Sequence, residues 1–197
     1  MIKNDFKNLI KRSIEDHNKS LAYVHSENFE KKFEEIVNII FKSINSGGTI
    51  YTCGNGGSFS DALHFTAELI VRYKRDRYPI SSLTLGSNQS NLTACSNDYN
   101  FEEVFLREYR AFSKKEDTLI AISTSGNSKN IIQIINYAIS KNYNWILLTS
   151  DKLRKRPEGG IIIEFPFTST AAVQECHIFF LQLICRALDF LILGDEY

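Results

Sequence analysis

From residue 49 onward, short runs of apolar and β-branched residues alternate with segments of helix length. The runs occupy residues 49–53, 80–85, 118–122, 145–149 and 161–165. Between and after them, one helix is predicted at each of residues 58–73, 129–140 and 170–191, and one or two helices at residues 88–113. Because strands joined through helices run parallel and are covered on both faces, the pattern predicts an α/β fold with a doubly wound, mainly parallel sheet of five strands.

Two amphipathic helices are predicted before the first strand. One apolar stripe begins at Phe6, and a second recurs at a spacing of three to four across residues 29–44. We interpret the chain as a single domain, residues 1–197, with a helical extension over residues 1–46 and an α/β core over residues 49–191. A small sheet cannot cover both stripes, so the extension is expected to mediate homo-oligomer formation.

The charge balance argues against two classes of partner. Lysine and arginine together number 23, and aspartate and glutamate together number 23, so the formal net charge is zero. Binding to nucleic acid through phosphate attraction needs a basic surface, and attachment to an anionic membrane needs a polybasic segment. Neither a nucleic acid nor a membrane is therefore expected as a partner.

Three features predict a soluble cytoplasmic protein. Residues 1–18 are too charged for the apolar core of a signal peptide. The apolar stretch 178–193 is interrupted by Gln182, Arg186 and Asp189, which makes it too short and too polar to span a bilayer. The four cysteines lack metal-binding spacing, so they are expected to be small buried hydrophobic residues in a reducing compartment.

A glycine-rich turn, CGNGGS at residues 53–58, follows the first predicted strand. Glycines let backbone N–H groups approach a ligand closely, and a helix start carries partial positive charge. A dinucleotide-binding loop fits poorly, because Phe59 occupies the third glycine position and the strand at 80–85 ends without an acid to bind ribose. A Walker loop is excluded because no Gly-Lys-Ser/Thr follows. An anion-binding loop and a tight turn with an Asn or Ser cap remain open.

A second loop, STSGNS at residues 123–128, follows the strand at 118–122 and carries four hydroxyls in six residues. One such side chain is enough to cap a helix. Hydroxyls and backbone N–H groups together can satisfy phosphate oxygens without a lysine. Because ligands bind where the carboxyl ends of parallel strands lead into helices, this loop predicts a phosphate site.

His64 and Glu68 lie four residues apart in the helix after the first loop, so they share one helix face. Ala62, Phe65 and Leu69 lie on another face and are expected to pack onto the sheet. Two interpretations of the pair remain open. It is either a solvated pair or a site, in which the side chains bind a metal or the carboxylate acts as a general base.

The last predicted helix is apolar apart from a few polar side chains. Gln174 and Gln182 lie two turns apart on one broad face, and buried polar groups need partners. We expect His177 to be a packed or capping histidine and Gln182 to be a hydrogen-bonded core glutamine.

The motifs also occur in a known combination. CGNGGS, DALHFTAEL, SNDYNF, AISTSGNS and VQECH resemble, in order and spacing, the phosphoheptose isomerase family of sugar isomerase (SIS) domain proteins, over about residues 21–188. The resemblance implies a SIS-type fold and isomerisation of sedoheptulose 7-phosphate to D-glycero-D-manno-heptose 7-phosphate. It also implies a homotetramer with sites between subunits, often a bound zinc ion, and a role in heptose synthesis for lipopolysaccharide or capsule.

The resemblance implies roles for individual residues. Glu68 would be the general base and, in zinc-bound members, a metal ligand, with His64 and Gln174 as further metal ligands. The implied substrate contacts are Asn55, Gly56, Gly57, Glu68, Asn97, Asp98, Ser123, Thr124, Ser125, Ser128 and Gln174. The hydroxyl residues of the second loop would hold the phosphate.

Two positions depart from the family pattern. Gln182 stands where the family normally has a second histidine, eight residues after Gln174, that acts as metal ligand and acid/base partner. An amide cannot titrate and binds zinc more weakly than imidazole does. Ala172 stands where many members have arginine. Both departures bear on zinc binding and rate, and neither touches Glu68 or the second loop.

Three functions remain open from the sequence. The first is an isomerase of sedoheptulose 7-phosphate, and another is an isomerase of a different sugar phosphate. The remaining one is a non-catalytic SIS module that binds a sugar phosphate or scaffolds a partner such as a replication initiator. Glu68 favours an enzyme, because a scaffold has no need of that carboxylate, whereas Gln182 favours the module.

Overall fold

The computed structural model describes residues 2–195, and the predicted elements are present in that range. In order along the chain they are α1 (Ile2–Leu21), α2 (Glu27–Asn45), β1 (Ile50–Gly54), α3 (Gly57–Ile70), β2 (Ser82–Thr84), α4 (Gln89–Asp98), α5 (Val104–Phe112), β3 (Thr118–Ile122), α6 (Lys129–Lys141), β4 (Asn144–Ser150), β5 (Ile161–Phe165) and α7 (Thr170–Leu193). The main difference from the sequence prediction is the shorter β2. The segment predicted as helix at 88–113 forms two helices.

The five strands form one parallel sheet in the order β2-β1-β3-β4-β5, which confirms the predicted α/β fold. The chain leaves β1 toward β2 on one side and returns to place β3 on the other side, so β1 and β3 flank the topological switch point. These two strands pair along their full length, from Ile50 opposite Thr118 to Gly54 opposite Ile122. Their carboxyl ends, and the two loops that follow them, therefore lie side by side.

Two hydrophobic clusters cover the two faces of the sheet. One lies beneath α2, α3 and α7 and includes Phe65 and Phe180, and the other lies beneath α5 and α6 and includes Tyr109 and Trp145. Burying each of these large side chains contributes about 2–3 kcal/mol relative to exposure. The predicted sheet-facing side of α3, which carries Ala62, Phe65 and Leu69, is buried. The opposite sides of α3 and α7 are thereby left available for polar residues.

The two N-terminal stripes have different surroundings. The stripe of α2 is buried against the sheet and α7. By contrast Phe6, Leu9, Ile10 and Ile14 of α1 are each 55–60% exposed. The second half of α1 packs against α7, and it is held by Ser20, whose hydroxyl donates to the Pro166 carbonyl at 2.8 Å, and by His17, whose Nδ1 lies 2.7 Å from Glu175 Oε2. Of the two N-terminal stripes, only that of α1 is left uncovered by the described part of its own chain.

α7 is the one helix within residues 2–195 that is long and apolar enough, by length and composition, to cross a membrane. The sequence analysis expected the stretch 178–193 to be too short and too polar to span a bilayer. That expectation is corrected, because the helix begins eight residues earlier and is 24 residues long. In the structure α7 packs against α1, α2 and α3, and its Phe180 and Leu188 are fully buried. Buried core helices are apolar around much of their circumference for the same reason.

Several polar and sulfur-containing side chains are buried as predicted. The four cysteines are free and buried, and burial raises the pKa of the Cys176 thiol to about 11. His177 is fully buried, and its Nε2 lies 3.2 Å from the carbonyl oxygen of Thr149. Burial lowers the pKa of His177 to about 4, against a smaller opposing effect of that hydrogen bond. His177 is therefore a neutral, packed histidine.

Acidification is expected to destabilise the fold through His177. Because the pKa is lowered from 6.5 to about 4, the unfolded chain binds a proton here at pH values where the folded chain does not. The loss of stability begins as the pH falls through about 6.5 and reaches about 3 kcal/mol near pH 4.

Urea unfolding of the wild type and of a His177→Gln variant, each at pH 7.5 and pH 4.5, checks this expectation. The variant should lose less unfolding free energy between the two pH values than the wild type does. Equal losses would contradict a buried neutral His177.

Candidate active site

Two loops meet at the carboxyl ends of β1 and β3, namely residues 53–58 and residues 123–128. We call these two loops together the anion cradle. A cavity of about 180 Å³ lies between them. Its lining consists of Asn55, Ser58, Ile122, Ser123, Thr124, Ser125, Ser128, Thr170 and Gln174. Six predicted substrate contacts are thus brought together, and Ser58 and Thr170 are additional hydroxyls that the sequence analysis missed.

The two helices that start at the anion cradle have no side-chain cap. The N-cap of α3 is Gly56 and that of α6 is Ser128, and neither makes a capping hydrogen bond. In contrast, α2, α4 and α7 are capped by the side chains of Ser26, Asn88 and Ser169. The possibility that CGNGGS is a turn with an Asn or Ser cap is therefore excluded. In the first turn of α6 the Ile131 N–H donates to Asn130 Oδ1. The N–H groups that precede it, and those at the very start of α3, are not held by a side-chain cap and can face an anion.

A reciprocal pair of amides joins the two loops of the cradle. Asn55 Nδ2 donates to Asn130 Oδ1 at 2.9 Å, and Asn130 Nδ2 donates to Asn55 Oδ1 at 2.9 Å. Asn130 lies in the first turn of α6 and is only 3% exposed. The sequence analysis missed Asn130, although a polar residue beside a run of isoleucines is the available signal. The pairing fixes the orientation of the Asn55 amide and leaves one N–H and one lone pair for a ligand.

The second loop is held by a hydrogen bond from the end of β4 and by another within the loop. The Ser150 hydroxyl donates to the Thr124 carbonyl at 2.5 Å, and Asn127 Nδ2 donates to the Ser125 carbonyl at 2.6 Å. Gly126 has a φ of +64°, and a Cβ there would clash with neighbouring side chains. The loop is therefore preorganised, so little ordering entropy is lost when an anion binds.

Gln174 reaches the cradle because the facing residue is glycine. A Cβ at Gly57 would clash with the side-chain amide of Gln174. No lysine or arginine lines the cavity, so its attraction for an anion must come from backbone N–H groups, hydroxyls and amides.

The predicted pair on α3 is formed. Nε2 of His64 lies 3.0 Å from Oε1 of Glu68, and the Glu68 side chain is 20% exposed compared with 48% for His64. Asp61 lies one turn earlier on the same side of α3. Burial raises its pKa to about 6, and the neighbouring His64 opposes part of that rise. The carboxylate of Glu68 is thus mostly shielded from bulk water, but part of its surface remains accessible to a ligand.

The pair on α3 and the anion cradle are separated within one chain. Neither His64 nor Glu68 lines the cradle cavity. Gly57 and Glu68 are eleven residues apart in one helix, which is about 16 Å along its axis. A seven-carbon sugar phosphate with bonds of about 1.5 Å spans on the order of 10 Å. Along the axis of α3, the Glu68 backbone thus lies further from the cradle than such a sugar phosphate spans.

The two glutamines of α7 are likewise far apart along the helix axis. Gln174 lies at the cradle, and Gln182 lies eight residues further on, about 12 Å along the axis. Gln182 is half-buried and has no hydrogen-bond partner among residues 2–195, so the expected hydrogen-bonded core glutamine is not found. Zinc ligands lie about 2 Å from the metal. One chain therefore cannot bring both glutamines to a single zinc ion.

Asn97 and Asp98 lie at the exposed end of α4, outside the cradle cavity. Their side chains hydrogen-bond each other, with Asn97 Nδ2 donating to Asp98 Oδ1 at 2.8 Å. Asp98 also lines a separate cavity between α4 and α5. The described chain alone thus leaves them apart from the other predicted contacts.

Comparison with known proteins identifies the class first. Residues 14–150 match the SIS domain family model, so the chain belongs to the SIS domain proteins. A phosphoheptose isomerase from Bordetella avium is 38% identical over 169 residues, which cover 81% of this chain and 83% of that protein. A phosphoheptose isomerase from Campylobacter concisus is 38% identical over 184 residues, covering 93% and 96%.

Comparison with solved structures also finds a phosphoheptose isomerase. The fold matches that of a phosphoheptose isomerase from Neisseria gonorrhoeae with a TM-score of 0.83 and 27% identity, over 96% of this chain and 99% of that one. Within the SIS domain proteins, the chain belongs to the phosphoheptose isomerase family.

Inorganic phosphate is expected to bind the anion cradle and to raise the melting temperature. In a Ser125→Ala/Ser128→Ala variant, two hydroxyl contacts to a charged group are lost, each contributing about 1.5–3 kcal/mol, so phosphate affinity should fall at least about 100-fold. Thermal unfolding across a phosphate titration measures this. Ser140→Ala, on the exposed end of α6, is the matched control and should titrate as the wild type does. Equal titrations of the double variant and the control would contradict the cradle assignment.

Proposed function

We propose that the protein isomerises sedoheptulose 7-phosphate to D-glycero-D-manno-heptose 7-phosphate. One observation carries the proposal, namely two uncapped helices and a hydroxyl-rich loop around one cavity at the switch point of the sheet. The relatives at 38% identity are phosphoheptose isomerases, and nothing in the structure favours a scaffold or another substrate over this activity.

The phosphate end of the substrate would be held by Ser123, Thr124, Ser125 and Ser128 together with the free N–H groups of α3 and α6. Asn55, Gly56, Gly57 and Gln174 would contact the adjoining sugar carbons, and Asn97 and Asp98 would meet sugar hydroxyls. Binding energy at the non-reacting end would orient the reacting carbons, which is how remote contacts raise the rate.

Glu68 would act as the general base. Its carboxylate takes a proton from C1 of the ketose, which leaves an enediol across C1 and C2, and returns that proton to C2. The hydroxyl proton moves from O1 to O2 in the same sequence. His64 would carry that hydroxyl proton, since its imidazole can both donate and accept and lies 3.0 Å from Glu68. The same contact orients the carboxylate.

We further propose that each site is completed by a second copy of the chain. The distance of about 16 Å along α3 separates Glu68 from the cradle of its own chain but sets no limit on the cradle of another chain. A partner whose α3 faces the cradle would supply His64 and Glu68. Apolar side chains on α3 and α7, including Leu63, Ile70 and Phe190, are 42–49% exposed and are available to such an interface.

A homotetramer would also cover the exposed stripe of α1. Four large apolar side chains on one helix face form a patch that soluble monomers rarely leave in water. The helical extension over residues 1–46 would thus serve assembly, and the α/β core over residues 49–191 would carry the sites. The exposure of the α1 stripe supports this role for α1, whereas the stripe of α2 is buried within its own chain.

The donor set of one chain does not fit zinc. His64 and Glu68 offer good ligands, but no group of three or more His, Cys, Asp or Glu side chains converges within residues 2–195. In a site shared between two chains, the predicted ligands that could join His64 and Glu68 are the amides of Gln174 and Gln182, and amides are weak zinc ligands. The proposed mechanism therefore routes no step through a metal, and the zinc implied by the family resemblance is not carried further.

A cytoplasmic place in heptose synthesis for lipopolysaccharide or capsule accords with this activity. Neither a nucleic acid nor a membrane is part of the proposal. The net charge of zero gives no basis for either partner.

A Glu68→Gln variant is expected to lose conversion of sedoheptulose 7-phosphate by at least about 100-fold while keeping phosphate binding, because only the proton transfer is removed. Co-expression of this variant with the Ser125→Ala/Ser128→Ala variant tests the shared site. In a mixed pair, one of the two sites has both an intact cradle and an intact carboxylate. Random pairing should then restore on the order of a quarter of wild-type activity. No recovery in purified mixed oligomers would contradict a site shared between chains.

Chelation is expected to change wild-type activity by less than about twofold, because the amide donors hold zinc weakly. A Gln182→His variant adds an imidazole and should bind one zinc per chain and become sensitive to chelator. Asn136→His, which places an imidazole on exposed α6, is the control and should gain neither property. If wild-type activity were lost on chelation and recovered on adding zinc, the inference that these donors fit zinc poorly would be contradicted.

A further inference from the structure

A buried ion pair lies where α3 ends. Arg77 Nε donates to Asp189 Oδ1 at 3.0 Å, and the two side chains are 0% and 7% exposed. Removing two charges from water is costly, and such a pair often contributes little net stability compared with apolar side chains of similar size. Net stability alone therefore does not account for the pair.

The guanidinium of Arg77 also binds the end of the helix that carries the proposed base. Nη2 donates to the carbonyl oxygen of Glu68 at 2.8 Å, and Nη1 donates to that of Leu69 at 2.8 Å. The last carbonyl groups of a helix lack intrahelical partners and carry partial negative charge, so a cation is well placed there. Arg77 therefore holds the backbone of Glu68 itself.

Asp189 connects this helix end to α7. Its Oδ2 lies 3.3 Å from the backbone nitrogen of Lys74 and 3.4 Å from that of Arg75. Asp189 is seven residues after Gln182 on the same helix. The ion pair thus joins the end of α3, the segment that follows it and the second half of α7.

We propose that Arg77 and Asp189 are positioning residues. They set where Glu68 lies along the α3 axis and how it is oriented about that axis for proton transfer. This inference rests on the proposed function, in which Glu68 is the base. A base must lie within hydrogen-bond reach of the proton it removes, and a misplacement of about 1 Å can cost about 100-fold in rate. The cradle lies at the other end of α3, so substrate binding through the phosphate is largely independent of the pair.

The test replaces both charges by apolar side chains of similar size, Arg77→Met/Asp189→Leu. A purely structural pair would allow this exchange without kinetic loss, because no unpaired charge remains. We expect a folded protein whose phosphate-dependent rise in melting temperature is that of the wild type. We expect KM within about threefold of the wild type and kcat about 100-fold lower.

Arg77→Lys covers the case in which the double variant does not fold. A lysine keeps the charge but cannot contact Asp189 and both carbonyl oxygens at once. This variant should show a kcat about tenfold lower at unchanged KM. The control, Arg156→Gln/Glu164→Gln, removes an ion pair beside β5 and should keep wild-type kcat and KM.

Wild-type kcat in the folded double variant or in Arg77→Lys would overturn the positioning role. A parallel change of kcat, KM and phosphate binding would also overturn it, because it would indicate general loosening. Glu68→Gln, measured alongside, separates this inference from the proposed function. If Glu68→Gln stays active the base assignment fails, and if Glu68→Gln is inactive while the double variant keeps its kcat, only the positioning role fails.

Discussion

The pairing of β1 with β3 is the constraint on which the candidate site depends. Because the two strands are parallel and in register up to Gly54 and Ile122, the loops that leave them must lie together. Each loop starts a helix of more than ten residues with no side-chain cap, so two sets of backbone N–H groups converge on one cavity. The chain can hold an anion there without a lysine or an arginine.

The length of α3 separates the cradle from Glu68, and this separation underlies the proposal that each site is shared between two chains. The helix begins at the cradle and carries Glu68 near its other end, about 16 Å away along the axis. At that end His64 contacts the Glu68 carboxylate, and Arg77, paired with Asp189, donates to the Glu68 backbone carbonyl. A second copy can bring this group to the first copy's cradle, and the exposed apolar residues of α1, α3 and α7 are the surfaces available for such an assembly.

Local sequence patterns predicted most of this fold. The contacts that they missed join residues far apart in the sequence. Helices and strands follow from periodicity, and the phosphate loop follows from an excess of hydroxyls at 123–128. Asn130 and Arg77 act through contacts with residues 75 and 9 positions away, which no local spacing reveals. Sequence spacing places His64 and Glu68 on one face of α3 but gives no distance from this pair to the cradle, because that distance depends on the length and start of the helix.

The most direct test is a crystal structure of the Glu68→Gln oligomer with sedoheptulose 7-phosphate bound. The account predicts the phosphate in the cradle of one chain, between residues 53–58 and 123–128. It places C1 and C2 about 3–3.5 Å from residue 68 of the partner subunit. Phosphate bound elsewhere, or residue 68 of the same chain at the reacting carbons, would contradict it.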